Sequence, residues 1–194
     1  MLDKVKVLRE KTSAGVMNCK IALKEADGDI EKAIDILRKK GIGLASKKSS
    51  RTAKEGVIAS YIHMNSKIGV LLELNCETDF VARNEEFKKF AKELTMQIAA
   101  ASPIYIAKDE VTEENLTRER DVIKEQNKNK PEHALGKIME GKLNSYYQDV
   151  CLLEQPYIKD PKVSVAQLLT EVISKTGENI IIKRFTRYQL GETA

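Results

Sequence analysis

The sequence predicts an α+β fold, with a small three-helix module, a basic linker and then an antiparallel sheet of about three strands packed with helices. Three observations predict it. Apolar residues recur at helical spacing near the N-terminus, and two stretches rich in Val, Ile, Leu and Tyr flank a short polar turn. Strand-like and helix-like segments are grouped and do not alternate as βαβ units would.

Val5, Val7 and Leu8 mark the apolar face of a first helix over residues 3–12. Thr12-Ser13-Ala14-Gly15 interrupts it, and Val16, Cys19, Ala22 and Leu23 resume the period in a second. Asp27-Gly28-Asp29 supplies a turn and an N-cap, because an Asp carboxylate accepts from the free N–H groups of a helix start. Ile30, Ala33, Ile34 and Leu37 form the face of a third helix, which Gly41 is placed to end in the left-handed conformation. The expected domains are therefore a helical module over 1–41, a linker over 42–54 and an α+β core over 55–194. Between Lys39 and Lys54 lie six basic residues, two glycines and three serines with no acidic residue, which is the composition of a flexible linker. Neither interleaved aromatics nor a groove-entering helical period accompanies these charges, so direct nucleic-acid binding is not expected.

Gly56 to His63 and Ile68 to Asn75 read as a hairpin turning at Asn65-Ser66-Lys67. Asn84 is placed to cap a helix whose first turn carries Glu85 and Glu86, favourable at the positive end of the helix dipole, and whose apolar stripe is Phe87, Phe90, Ala91, Leu94 and Ile98. Ser102-Pro103 ends that helix. Short strands are expected at Ile104–Ile106 and Val150–Leu153, with helices over Thr112–Lys128, from Pro131 to Tyr147 and over Val165–Ser174, and a final strand over Asn179–Leu190.

Composition excludes several functions. With 194 residues, 42% hydrophobic and 32% charged, the chain has room for at most two folded units and carries no apolar run of the ~18 residues a membrane helix needs. The N-terminal Met-Leu-Asp-Lys carries a charge pair where a signal peptide has its apolar stretch, so a cytoplasm or an organelle matrix is the expected location. Cys19, Cys76 and Cys151 are widely spaced and His63 and His133 have no second histidine at ligand spacing, which argues against a disulfide framework or a metal site. No phosphate-binding Gly-rich loop or nucleophile elbow is present, so no cofactor and no bond-making chemistry are expected. Charge is uneven: residues 1–54 hold 14 Lys or Arg against 7 Asp or Glu, a net +7, and the remainder is −3. That balance fits either a module meeting an acidic partner or a solvated cationic face.

Two segments stand apart from ordinary core or linker sequence. One runs Leu8-Arg9-Glu10-Lys11-Thr12-Ser13-Ala14-Gly15-Val16-Met17 and continues through Cys19-Lys20-Ile21-Ala22-Leu23. The other is Glu73-Leu-Asn-Cys-Glu-Thr-Asp-Phe-Val-Ala-Arg83, which sets Phe80 and Val81 where a strand pattern stops and a helix is about to begin. Together they resemble the translation elongation factor Ts family, the guanine-nucleotide exchange factors of elongation factor Tu.

The resemblance covers most of the chain. It implies that the helical module is similar to ubiquitin-associated domains and docks on the GTPase, with Arg9, Val16 and Met17 at contact positions; core packing of Val16 and Met17 is the alternative reading. It implies that Thr78, Asp79, Phe80 and Val81 form a loop in which Asp79 and Phe80 enter between helices of the GTPase and disturb its Mg²⁺ and phosphate site, against the alternative that Phe80 caps the Phe87–Ile98 helix from within. Only one core half is visible and residues 108–130 form at most a short arm, which is the pattern of short members expected to pair as homodimers. Tyr61-Ile62-His63 resembles a histidine-bearing contact of the missing half, so His63 of the partner subunit would touch the same GTPase.

Overall fold

The computed structural model describes residues 2–12 and 14–192. Met1 of the N-terminal tetrapeptide and Ser13 of the expected break between the first helices lie outside them. Contacts divide the chain into two compact units, Met1–Ala59 with Glu73–Lys92 and Gln167–Lys183, and Ser60–Leu72 with Glu93–Ala166 and Arg184–Ala194.

The first unit opens with helices α1 (Leu2–Thr12), α2 (Val16–Glu25) and α3 (Ile30–Lys48). Their shared core is Val5, Leu8, Cys19, Ala22, Leu23, Ala26 and Ala33, flanked by Ala14, Ile30, Ile34, Ile36 and Leu37. Val7, expected on the same face, is exposed instead. Two residues of helix turn it about 200° from Val5, so when Val5 and Leu8 face inward Val7 faces out. Asp27 and Gly28 adopt positive φ of 50° and 79°, and Asp29 accepts from the Lys32 N–H at 3.1 Å, starting α3 as its side-chain chemistry dictates.

Gly41 does not end α3. The helix runs on to Lys48, so residues 42–48, expected as linker, are helical. Gly41 is buried within it, and a side chain there would meet Thr170 and Ser174 at 3.7 Å. Leu44, Ala45, Lys47 and Lys48 are good helix formers, and burial against that neighbouring surface outweighs the single glycine's cost of about 1 kcal/mol.

Strands β1 (Glu55–Ile62), β2 (Ile68–Cys76) and β5 (Ile181–Gln189) form a sheet in the order β1-β2-β5. The His63 N–H donates to the Ile68 carbonyl at 2.9 Å and closes the β1-β2 hairpin, with Ser66 at φ 54° in the turn. The Leu190 N–H donates to the Lys67 carbonyl at 2.8 Å, setting the end of β5 beside the start of β2, as antiparallel pairing requires. Alternation is clean in β2, where Val70, Leu72, Leu74 and Cys76 are buried and Leu71 points outward. Gly56 sits at φ 152°, where a Cβ would collide with the Leu74 carbonyl.

The short α4 (Asp79–Arg83) follows β2 and leads into α5 (Glu85–Ala101). Asn84 Oδ1 accepts from the Glu86 N–H at 2.7 Å, and Phe87, Phe90, Ala91, Leu94 and Ile98 are all buried, as the stripe predicts. Helices α6 (Glu113–Gln126) and α7 (Glu132–Val150) belong to the second unit. Thr112 caps α6 by accepting from the Asn115 N–H at 3.3 Å, and Pro131 stands at the N-cap of α7, one place before its expected position.

Strands at Ile104–Ile106 and Val150–Leu153 do not form. The two segments lie side by side, with the Ile104 and Tyr105 N–H groups donating to the Val150 carbonyl and the Leu152 and Leu153 N–H groups to Tyr105 and Ile106, but only Tyr105 and Cys151 make a true bridge. Helix α7 claims Val150, and a 3₁₀ turn claims Leu152–Glu154, leaving too little extended chain for a ladder. A two-stranded hairpin, β3 (Pro156–Tyr157) with β4 (Asp160–Ser164), follows where no strand was expected, and α8 (Val165–Thr176) leads to β5.

Candidate functional site

At the end of β2 the alternation that buries Cys76 stops, and the chain turns into α4. Thr78 starts this turn: it is extended at φ −127°, ψ 155°, and its hydroxyl accepts from the Val81 N–H at 3.4 Å. Asp79 and Arg83 pair at 2.9 Å across one turn, and Ala82 alone of α4 is buried. Phe80 points away and is 80% exposed, the most exposed aromatic side chain among the described residues, so it does not pack on the stripe of α5. Val81 is half-buried.

Two consecutive amides, those of Glu77 and Thr78, leave the sheet without strand partners. Glu178 Oε2 accepts from both at 3.0 Å, and Glu178 Oε1 accepts from the Thr78 hydroxyl at 2.6 Å. Glu77 reciprocates by accepting from the Asn179 N–H at 2.7 Å. Asn179 is itself buried, and its amide donates to the carbonyls of Arg51 at 2.7 Å and Ser49 at 3.4 Å. Arg51 lies 3.6 Å from the Glu77 carboxylate, and Lys48 donates to the Gly177 carbonyl. Burial, and secondarily the charge of Glu178, push the Cys76 thiol up to about 11, while its Sγ donates to the Thr78 carbonyl at 3.2 Å.

Of the other sequence-predicted site residues, Arg9 lies exposed on α1, and Val16 and Met17 begin α2 with exposures of 50% and 65%, outside the core of the three helices. Thus Arg9, Val16, Met17, Thr78, Asp79, Phe80 and Val81 all fall in the first unit, and His63 in the second. His63 is half-buried, with Nδ1 2.9 Å from the Tyr61 hydroxyl. Sequence reasoning missed Glu178 and Asn179. Gly177, with φ 73°, flags a turn before β5, but no local pattern joins that turn to a strand end a hundred residues earlier.

No group of three or more His, Cys, Asp or Glu among the described residues is arranged to hold a metal ion, and no helix among them is long and apolar enough to cross a membrane. Fold and site together define an α+β protein that presents an aromatic side chain outward from a hydrogen-bonded turn at a strand end. A family model described as elongation factor TS matches residues 6–192. The chain is 56% identical over 190 residues to a protein named elongation factor Ts from Thermodesulfovibrio yellowstonii, covering 97% of this chain and 95% of that relative. It is 53% identical over 191 residues to the elongation factor Ts of Thermotoga neapolitana, covering 98% and 97%. The chain belongs to the elongation factor Ts family.

Proposed function

We propose that the protein is a guanine-nucleotide exchange factor that binds elongation factor Tu·GDP and speeds GDP release during translation elongation, making and breaking no covalent bond itself. The observation that carries the reading is Phe80, held 80% exposed in a one-turn helix that Thr78 caps and whose buried residue is Ala82. An exposed Phe in such a turn is poised for a partner's apolar interior. Asp79 and Phe80 enter between helices of the GTPase and displace groups around its Mg²⁺ and phosphates, with Thr78 and Val81 forming the walls of the inserted turn.

Magnitudes divide the labour. Burying one Phe side chain contributes ~1.5–3 kcal/mol. A 10⁴-fold acceleration of release corresponds to about 5.5 kcal/mol, so Phe80 needs help from elsewhere. The exposed Arg9, Val16 and Met17 on the helical module of residues 1–41 give that help as a second docking surface, resembling a ubiquitin-associated domain in its three-helix form. Two chains pair as a homodimer, and His63 of the partner subunit reaches the same GTPase. The site of action is the cytoplasm, where no membrane contact is needed. Linkage then requires that nucleotide weaken the factor's binding by the same factor by which the factor weakens nucleotide binding, so excess GTP displaces it.

Labelled-GDP release from elongation factor Tu tests the reading: the full chain should raise the off-rate strongly, and Phe80→Ala should remove most of that effect. An adaptor that docks without exchanging would leave the off-rate at its basal value. A mass near that of one chain by light scattering at micromolar concentration would dispose of the homodimer.

A further inference from the structure

Glu178 stands outside the two segments that carry the resemblance, yet it accepts from the two residues that start the turn carrying Phe80. Its two oxygens take three hydrogen bonds from Glu77 and Thr78, at 3.0, 3.0 and 2.6 Å. These are charge-assisted bonds, roughly twice as strong as neutral ones. They fix both amides that precede Asp79 and orient the same Thr78 hydroxyl that caps α4. This carboxylate therefore holds the two residues from which the Phe80 turn starts.

We propose that Glu178 is a positioning residue for exchange: it sets the direction in which α4 presents Phe80, and with Asn179 it fastens that turn to the end of α3. The proposal rests on the reading that Phe80 acts by insertion. Asn179 supplies the second half of the fastening, because its backbone N–H is taken by Glu77 while its side-chain amide is taken by the Ser49 and Arg51 carbonyls. The residues just after α3 and the two just before α4 thus share one hydrogen-bonded junction. A phenylalanine on a freely moving loop would lose that direction, and only a fraction of encounters would place it correctly.

Two substitutions separate geometry from charge. Glu178→Ala removes all three acceptors. Glu178→Gln keeps one oxygen for the two amides, and its NH₂ group can donate to the Thr78 hydroxyl, whose own proton then turns away. Stimulated GDP release is measured over a range of concentrations of full-length factor, beside Phe80→Ala and with thermal unfolding of each variant. The expected result for Glu178→Ala is a maximal release rate about tenfold lower with a half-saturating concentration within about threefold of the parent, because docking through α1 and α2 is untouched. Glu178→Gln should retain the maximal rate within about threefold. Amide hydrogen exchange at Glu77 and Thr78 should quicken in Glu178→Ala and stay slow in Glu178→Gln.

A parental maximal rate in Glu178→Ala while Phe80→Ala is slow would overturn the positioning role and leave insertion standing. Equal rate losses in Glu178→Gln and Glu178→Ala, with the Glu77 and Thr78 amides still slow to exchange in Glu178→Gln, would also overturn it, since the turn would then be held and the rate lost regardless. A parental rate in Phe80→Ala would instead overturn insertion. In that event the positioning proposal falls with it, even if the amides of Glu77 and Thr78 still respond to residue 178.

Discussion

The side-chain amide of Gln97 donates to the side-chain oxygen of Gln155 at 3.1 Å, joining α5 to the chain ahead of β3, and both residues are almost wholly buried. Gln97 also donates to the Pro156 carbonyl at 3.3 Å and accepts from the Ile158 N–H at 2.9 Å. Gln155 spends its remaining amide hydrogens on the Ala101 and Asp149 carbonyls. Every amide hydrogen of this pair is used. Gln97→Leu keeps the bulk but orphans the Ile158 N–H and the Gln155 oxygen. At ~1–3 kcal/mol for each unsatisfied group, stability should fall by roughly 2–6 kcal/mol, read as a lower urea midpoint.

Gly56 carries a backbone demand of a different kind. At φ 152° it lies where L residues are strained, and the Leu74 carbonyl occupies the space of a Cβ. Gly56→Ala should destabilise by about 2 kcal/mol or more, with strain and collision adding. Gly43, which has open space beside it, is the control: Gly43→Ala in α3 should raise the midpoint slightly.

Two buried cysteines contribute to loss of stability at alkaline pH. Cys76 and Cys151 are buried, and burial pushes both thiols from 9.0 up to about 11; Glu178 adds to the rise at Cys76, and Glu154 at Cys151. Between those values the unfolded chain loses thiol protons that the folded chain keeps, so ionisation favours unfolding. Stability from this source is intact below about pH 9 and is lost as pH rises towards 11. Thermal midpoints should decline across that window, and less steeply in Cys76→Ala or Cys151→Ala. Thiol reagents should label the native chain slowly at neutral pH.

Phe80 should separate folding from function. With 80% of its surface exposed, Phe80→Ala should change unfolding free energy by no more than ~0.5 kcal/mol while sharply reducing stimulated GDP release. Met17→Asp, at 65% exposure, should likewise leave the thermal midpoint nearly unchanged but raise the half-saturating concentration. Opposite signatures, in maximal rate for Phe80 and in half-saturation for Met17, would show that the two surfaces do different work.

Periodic signals in the sequence were easy to read because one local rule governed each. The stripe from Phe87 to Ile98, the Asp29 cap and the turn at Ser66 needed only neighbours within a few residues. Gly41 misled because its surroundings, Thr170 and Ser174, lie far along the chain and hold it inside a helix. Val150–Leu153 misled in the same way: its apolar run fits a strand, but α7 and a 3₁₀ turn compete for it. In the site, the motif through Phe80 was legible and its support was not, because a carboxylate at 178 carries no mark of which amides it will accept.

The junction of Glu178 with Glu77 and Thr78 has a consequence for how the protein is made. Thr78 and Glu178 are 100 positions apart, so a ribosome has synthesised the hairpin, α5 and both helices of the second unit before the carboxylate that shapes the Phe80 turn exists. A nascent chain carries its phenylalanine early but acquires the means to aim it only when β5 begins to emerge.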